Sequence, residues 1–148
     1  MTQQIAPLSA ETSQYLDSMR GWIAGHLPEE SRAEFASSGV KLQVLAAMLN
    51  NGWVGPENTW ELHAMGAVFG DALAQELELE WVQVSDEYGT DPAVRVPGST
   101  VLSFPLTIIA KRVEQQSMGD VYELFGAAMQ GILDAAHRAD ADTGQAGQ

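Results

Sequence analysis

The order of secondary structure in this chain is decided by the stretch TWELHAMGAVFGDALAQELELEWVQV, residues 59–84. Apolar side chains recur at helical spacing through its first part, at Leu62, Met65, Phe69, Leu73 and Leu77. This spacing predicts an amphipathic helix from about residue 57 or 59 to residue 77. The last four residues, 81–84, alternate between large apolar or β-branched and polar side chains, which is typical of a strand.

Turn residues and short β-rich runs follow that first strand. Residues 86–92 are rich in Asp, Gly and Pro, and residues 97–99 read Pro-Gly-Ser, so both segments are predicted turns. The runs 93–96 and 100–104 are the predicted second and third strands. Such short connections join antiparallel strands, and the sequence therefore predicts a three-stranded antiparallel meander over about residues 80–104.

Helical patterns lie on both sides of the meander. They cover about residues 10–26, a short segment from 28 to 36, residues 42–49, residues 105–115 and residues 121–133. The predicted fold class is α+β, with helices before and after the sheet packed on it. We expect one domain over residues 8–137, with flexible termini at 1–7 and 138–148, because residues 138–148 contain no large apolar side chain.

Two glycines, Gly66 and Gly70, lie four residues apart inside the predicted helix 59–77. Each costs about 1 kcal/mol relative to alanine in a helix interior. The pair predicts that another part of the backbone packs closely against this face. The alternative is that the two glycines only weaken the helix.

The region from Gly66 to Phe125 resembles an uncharacterised bacterial domain family, a domain of unknown function. The similarity is carried by GAVFGDAL (66–73), LEWV (79–82), DEYG (86–89), FPLTIIAKRVE (104–114), DV (120–121) and LF (124–125). The resemblance implies an α+β domain and supplies no established activity.

Charge restricts the partners of this chain. Seven Lys and Arg residues face twenty Asp and Glu residues, and the net charge is −13. Nucleic acids and anionic membranes are disfavoured because binding them requires clustered cations, whereas a basic protein partner is favoured. The acidity could also serve solubility alone. The chain has no cysteine, no apparent signal peptide and no run of about 20 apolar residues, so we expect a cytoplasmic protein.

Known catalytic and metal-binding motifs are missing from the sequence. Its three histidines, His26, His63 and His137, show no metal-ligand spacing, and no phosphate-binding loop or nucleophile motif occurs. The turn containing Asp86, Glu87 and Asp91 lacks the pattern of a calcium loop. We expect no metal, no cofactor and no catalytic residue, and whether the protein is an enzyme stays open, with the balance against it.

The charges are distributed unevenly along the chain. No Lys or Arg lies between Gln43 and Val94, whereas nine acids do: Glu57, Glu61, Asp71, Glu76, Glu78, Glu80, Asp86, Glu87 and Asp91. The only adjacent cations, Lys111 and Arg112, follow the meander. They either pair with Asp71 or Asp86 and hold their helix in place, or join Asp71, Trp81 and Tyr88 around a polar pocket. The candidate binding or structural cluster is Trp53, Asp71, Trp81, Asp86, Glu87, Tyr88, Lys111, Arg112 and Glu114.

These observations support two hypotheses of function. The first is a non-enzymatic protein-interaction module, of the inhibitor or immunity type, that presents its acidic region to a basic partner protein. The second is a small domain that binds or transforms an anionic ligand in a cleft rimmed by Asp71, Asp86, Lys111 and Arg112. The apolar pattern of residues 121–133 also allows a homodimer.

Overall fold

A computed structural model describes residues 3–52, 54–117 and 119–146, with side chains through residue 140. Five α-helices are present: α1 (Ala10–Ala24), α2 (Ser38–Asn50), α3 (Thr59–Leu77), α4 (Ile108–Glu114) and α5 (Val121–Ala146). Two 3₁₀ helices cover Glu29–Ala36 and Pro105–Thr107. Four strands are present: β1 (Gln4–Pro7), β2 (Glu80–Asp86), β3 (Gly89–Arg95) and β4 (Leu102–Ser103). The α+β class is confirmed.

The sheet has four strands and not the three predicted. Its order is β1-β2-β3-β4, with every neighbouring pair antiparallel. The additional strand, β1, pairs with β2 from Gln4 opposite Ser85 to Pro7 opposite Val82. Residues 1–7 were predicted as a flexible terminus. The segment Gln4–Pro7 has one β-branched residue, Ile5, and a proline, and its extended form comes from pairing with a distant strand. A proline is tolerated there because β1 is an edge strand.

Two other boundaries differ from the predictions. The hairpin between β2 and β3 is tight, because both strands extend to Asp86 and Gly89 and leave two residues between them. At the other end of the chain, α5 continues through residues 138–146 as a helix. The flexibility predicted for that terminus stays a prediction.

Helix α3 lies at the centre of the molecule. It contacts α1, α2, α4, α5 and the 3₁₀ helix Pro105–Thr107, and its residues 64–70 are all buried. Three of its large side chains, Leu62, Phe69 and Leu73, are fully buried. Phe69 meets Phe125 of α5 edge to face, with ring centroids 5.5 Å apart. An amphipathic stripe alone would bury one face, so the contacts all around α3 come from the helices that surround it.

The two glycines of α3 are sites of close approach. A Cβ atom at Gly66 would lie 2.5 Å from the carbonyl oxygen of Pro105 and 2.6 Å from the Cα of Leu106. At Gly70 it would lie 2.5 Å from Cγ of Pro105 and 2.8 Å from the indole of Trp81. The prediction of close backbone packing is therefore confirmed at Gly66, where the neighbour is main chain. At Gly70 the neighbours are side chains.

Substitution of Gly66 by alanine tests this packing. We expect G66A to lower the free energy of unfolding by about 1–3 kcal/mol, because the new methyl group overlaps backbone that cannot rotate away. The measurement is urea denaturation. The matched control is Gly126→Ala in α5, where a Cβ atom would meet nothing within 4 Å; this change should be neutral or stabilise by up to about 1 kcal/mol. Equal destabilisation by both substitutions would contradict the packing argument.

Candidate functional site

Asp71, in the middle of α3, joins three elements through its carboxylate. Its Oδ2 accepts a hydrogen bond from Nε of Arg20 at 2.7 Å, and its Oδ1 accepts one from Nη2 of the same guanidinium at 2.9 Å. The same Oδ1 accepts a third hydrogen bond, at 2.9 Å, from the indole Nε1 of Trp81. The side chain is 16% exposed, so this is a partly buried, bidentate ion pair of the stronger kind.

Local sequence explains why these groups meet. Asp71 directly follows Gly70, and the missing side chain of Gly70 leaves space for the Trp81 ring to lie across α3. The Arg20 guanidinium carbon lies 5.8 Å from the centroid of that ring, within cation–π range. Arg20 is also held by Asp17, whose Oδ1 accepts from Nη1 at 2.9 Å. Burial disfavours the charged guanidinium, but its hydrogen bonds to Asp71 and Asp17 and the charges of these carboxylates outweigh that effect and raise the pKa of Arg20.

A second cation, Lys41 of α2, lies near this pair and is almost completely buried. Its Nζ donates to the carbonyl oxygens of Phe35 and Ala36 at 2.9 and 3.0 Å, and to Oε1 of Gln75 at 3.0 Å. The two carbonyls end the 3₁₀ helix Glu29–Ala36, so Lys41 caps that helix. Burial lowers the pKa of Lys41, and the charge of Asp71 opposes this shift only in part.

Around these groups lies a cavity of about 620 Å³, which we call the tryptophan cleft. It is lined by Arg20, Lys41, Asp71, Gln75 and Trp81, and by the small or apolar residues Gly21, Ala24, Phe35, Ala36, Ala74 and Leu79. Two cations and one carboxylate thus line the cleft, in a chain whose net charge is −13.

A larger groove of about 1160 Å³ lies between α1, the β2–β3 hairpin and the start of α4. We call it the hairpin groove. Its charged lining residues are Glu11, Asp86, Asp91 and Lys111, and its aromatic ones are Tyr15 and Phe104, which are 43% and 37% exposed. His63 and a number of hydroxyl and amide side chains complete the lining.

The residues predicted as one cluster are divided between these two cavities. Asp71 and Trp81 line the tryptophan cleft, whereas Asp86 and Lys111 line the hairpin groove. Glu87 and Tyr88 form the hairpin turn, where the Tyr88 side chain is 90% exposed. Arg112 and Glu114 are exposed on α4. Trp53 lies outside the described residues.

The predicted ion pair between Asp71 and Lys111 or Arg112 is wrong, because both oxygens of Asp71 are bound by Arg20 and Trp81. Within the described ranges, neither Lys111 nor Arg112 forms an ion pair with Asp86 either. Sequence reasoning missed Arg20 and Lys41. A signal was present at Lys41, which is in phase with the buried Leu45 and Met48 of α2.

The nine acids between Gln43 and Val94 are spread over α3, the segments on either side of it and the β2–β3 hairpin. Helix α3 has 19 residues, so Glu61 and Glu76 are separated by roughly 22 Å along its axis at about 1.5 Å per residue. Asp71 and Glu80 are already paired, with Arg20 and with Arg95. The exposed hairpin acids Asp86, Glu87 and Asp91 form a separate group.

The three histidines are also apart. His26 packs edge to face on Trp22, with centroids 4.7 Å apart, His63 lines the hairpin groove, and His137 is exposed on α5. The described part of the chain contains no group of three or more His, Asp or Glu side chains able to hold a metal ion. None of its helices combines the length and the apolar character needed to cross a bilayer.

Fold and cavities together define a mixed α+β domain whose central helix carries a charged cleft on one side. The family model described as "Domain of unknown function (DUF3806)" matches residues 41–125, more than half of the chain. The protein belongs to this family, and the predicted membership in a family of unknown function is confirmed. The matched range includes Lys41, Asp71 and Trp81 but not Arg20.

One solved structure has the same fold. It is a crystal structure, at 1.50 Å resolution, of a protein from Bacteroides thetaiotaomicron, with a TM-score of 0.69 and 17% sequence identity. The alignment covers 87% of this chain and 48% of that one, so this chain spans about half the length of the protein it matches. Comparison with curated proteins found no match.

Replacement of Asp71 tests whether its ion pair holds the site together. We expect Asp71→Asn to lower the free energy of unfolding by about 1–3 kcal/mol, because Arg20 would keep its charge in a partly buried place and lose its bidentate carboxylate, with only the exposed Asp17 left as an ionic partner. The control is Glu80→Gln, which breaks the more exposed pair with Arg95 and should cost less than about 1 kcal/mol. Urea denaturation measures both. A larger loss for Glu80→Gln would contradict this assignment.

Proposed function

We propose that this protein is a non-enzymatic binding module that captures a basic partner protein in the hairpin groove. The observation that carries the proposal is the composition of the groove. Three carboxylates, from Glu11, Asp86 and Asp91, face one cation, Lys111, around two half-exposed aromatic rings. Carboxylates recognise Lys and Arg side chains, and exposed aromatic rings supply the apolar anchors that dominate many interfaces.

The hairpin extends this surface. The Glu87 carboxylate and the Tyr88 ring project from the turn beside the groove, and Asp86 holds the turn by accepting a hydrogen bond from the Tyr88 amide at 2.8 Å. A partner segment lying in the groove would therefore meet a rigid, acidic rim. An inhibitor that covers a basic protein is one form of such a module, and the absence of cysteine suits the reducing cytoplasm in which we place it.

Salt-dependent co-purification tests the proposal. The 148-residue chain is captured with its partners from the native host at about 0.1 M and about 1 M salt, where the Debye length falls from about 10 Å to about 3 Å. We expect a basic protein that is retained at low salt and released at high salt. The groove variant Glu11→Gln/Asp91→Asn should lose it. The control Glu29→Gln/Glu30→Gln removes the same charge from exposed residues outside the groove and should retain it. The absence of a partner at both salt concentrations would contradict the proposal.

Once the partner is purified, substitution of Tyr15 distinguishes binding in the hairpin groove from a general attraction between opposite charges. Tyr15→Ala should weaken binding by at least about tenfold, as expected for an aromatic anchor. Tyr122→Ala on α5, where the ring is 47% exposed, should change the Kd by less than about twofold. Titration calorimetry measures both. Equal effects would place the partner elsewhere on the surface.

A second copy of the chain is the alternative partner. Val121, Leu124, Phe125 and Ile132 of α5 are buried against the core, but Tyr122 and Leu133 remain exposed. These two positions are eleven residues apart, close to three helical turns, and share one face. We expect light scattering to give the mass of a monomer, 15.9 kDa; a dimer that dissociates on Leu133→Glu would instead assign self-association to α5.

A further inference from the structure

The tryptophan cleft brings two cations together in a strongly acidic protein. Arg20 and Lys41 are two of the seven cations in the chain, and both line this one cavity. Only one carboxylate, Asp71, lines it with them. The second carboxylate bonded to Arg20, that of Asp17, is 73% exposed and lies outside the lining, so within the described residues Lys41 is the cation of the cleft that has no carboxylate partner.

Lys41 is bonded to neutral groups. Its ammonium is buried and makes its three hydrogen bonds to two carbonyl oxygens and an amide oxygen, none of which is charged. Within the described residues it forms no ion pair. A buried charge without a counter-charge is costly, so an anion near Lys41 would be stabilised by a field that is already in place.

Arg20 has donors left for such an anion. Asp71 and Asp17 use three of its five N–H groups, through Nε, Nη2 and Nη1. One N–H on each terminal nitrogen is without a bond to any described residue. Two N–H groups on neighbouring nitrogens match the two oxygens of a carboxylate.

The rest of the cleft is apolar. Phe35, Leu79, Ala24, Ala74 and the Trp81 ring supply most of the wall, and the volume of about 620 Å³ is ordinary for a small-molecule site, typically about 300–1,000 Å³. A single negative charge near Lys41 supplies the counter-charge that this ammonium lacks, whereas a doubly charged phosphate would place an excess of negative charge beside Asp71 and Asp17.

We propose that the tryptophan cleft binds a small organic carboxylate, with its anionic group held by Arg20 near Lys41 and its apolar body against Phe35, Leu79 and Trp81. This site is separate from the hairpin groove, and its failure would leave the proposed function of the groove untouched.

NMR titration of the 148-residue chain tests the site. The probes are acetate, butanoate and benzoate, with benzamide as the neutral counterpart of benzoate and inorganic phosphate as the second anion. The reporter is the indole N–H signal of Trp81, assigned by its loss in Trp81→Phe, because this N–H bonds Asp71 inside the cleft. We expect saturable shifts with at least one carboxylate, with a Kd of about 1 mM or tighter, and none with benzamide.

Two variants and a control make the result specific. Arg20→Gln should weaken carboxylate binding at least about tenfold, by loss of charge-assisted hydrogen bonds. Since that change also breaks the Asp71 pair, Ala24→Leu provides an independent test: it fills the cleft, keeps every charge, and should also abolish binding. Arg138→Gln removes the same charge from an exposed position on α5 and should leave binding unchanged. No saturable shift with any of the three carboxylates, tighter binding of phosphate, or equal binding by Ala24→Leu would overturn the proposal.

Discussion

The structure depends on how closely two segments approach α3 at its glycines. At Gly66 the neighbour is the main chain of Pro105 and Leu106, and at Gly70 it is the side chains of Pro105 and Trp81. A side chain at position 66 or at position 70 would overlap these neighbours. Because this contact brings the end of the sheet and the start of α4 onto the central helix, it sets where β2 enters the molecule and therefore where Trp81 lies.

The polar site is a consequence of that contact. With Trp81 lying against Gly70, its indole reaches the carboxylate of the next residue, Asp71, and the same carboxylate takes the Arg20 guanidinium from α1. Lys41 and Gln75 then attach the segment Glu29–Ala36 beside it. Helices α1, α2 and α3, strand β2 and the 3₁₀ helix Glu29–Ala36 thus meet around one cavity, whose charged groups are held in place by hydrogen bonds. Pre-organised groups of this kind bind a ligand at a lower entropic cost than flexible ones.

The acidic side chains and the two cations of the tryptophan cleft lie in different parts of the protein. Acidic residues cover much of the surface, and the hairpin concentrates three of them beside exposed aromatic rings. The two cations of the tryptophan cleft are instead drawn inward, where each is held by oxygen acceptors. An acidic exterior attracts cationic partners at long range, whereas the partly buried Arg20 and the buried Lys41 act mainly on a molecule at the cleft. The two proposed sites therefore select for opposite charges without competing.

Much of this fold could be predicted from local patterns. The apolar spacing in residues 59–77 predicted α3 to the residue at its C-terminal end, and the Gly66–Gly70 spacing predicted a close approach before any neighbour was known. The strand β1 could not be predicted, because Gln4–Pro7 is extended only through pairing with residues 82–85 far along the chain. The same limit applied to the site. The sequence identified Asp71, Trp81, Asp86 and Lys111 as candidate site residues, but it did not show that they are divided between two cavities.

By itself, then, the sequence determined the excess of negative charge, which follows from composition alone. It also determined the helices, the hairpin and the need for glycine on α3, because these follow from residues that are close together along the chain. Only the tertiary structure decided that Asp71 binds Arg20 and not Lys111 or Arg112, and that Lys41 is buried. The reason is physical. An ion pair forms between whichever groups the packing of separate elements brings within about 3 Å of one another, and that distance is not encoded in the spacing of residues along the chain.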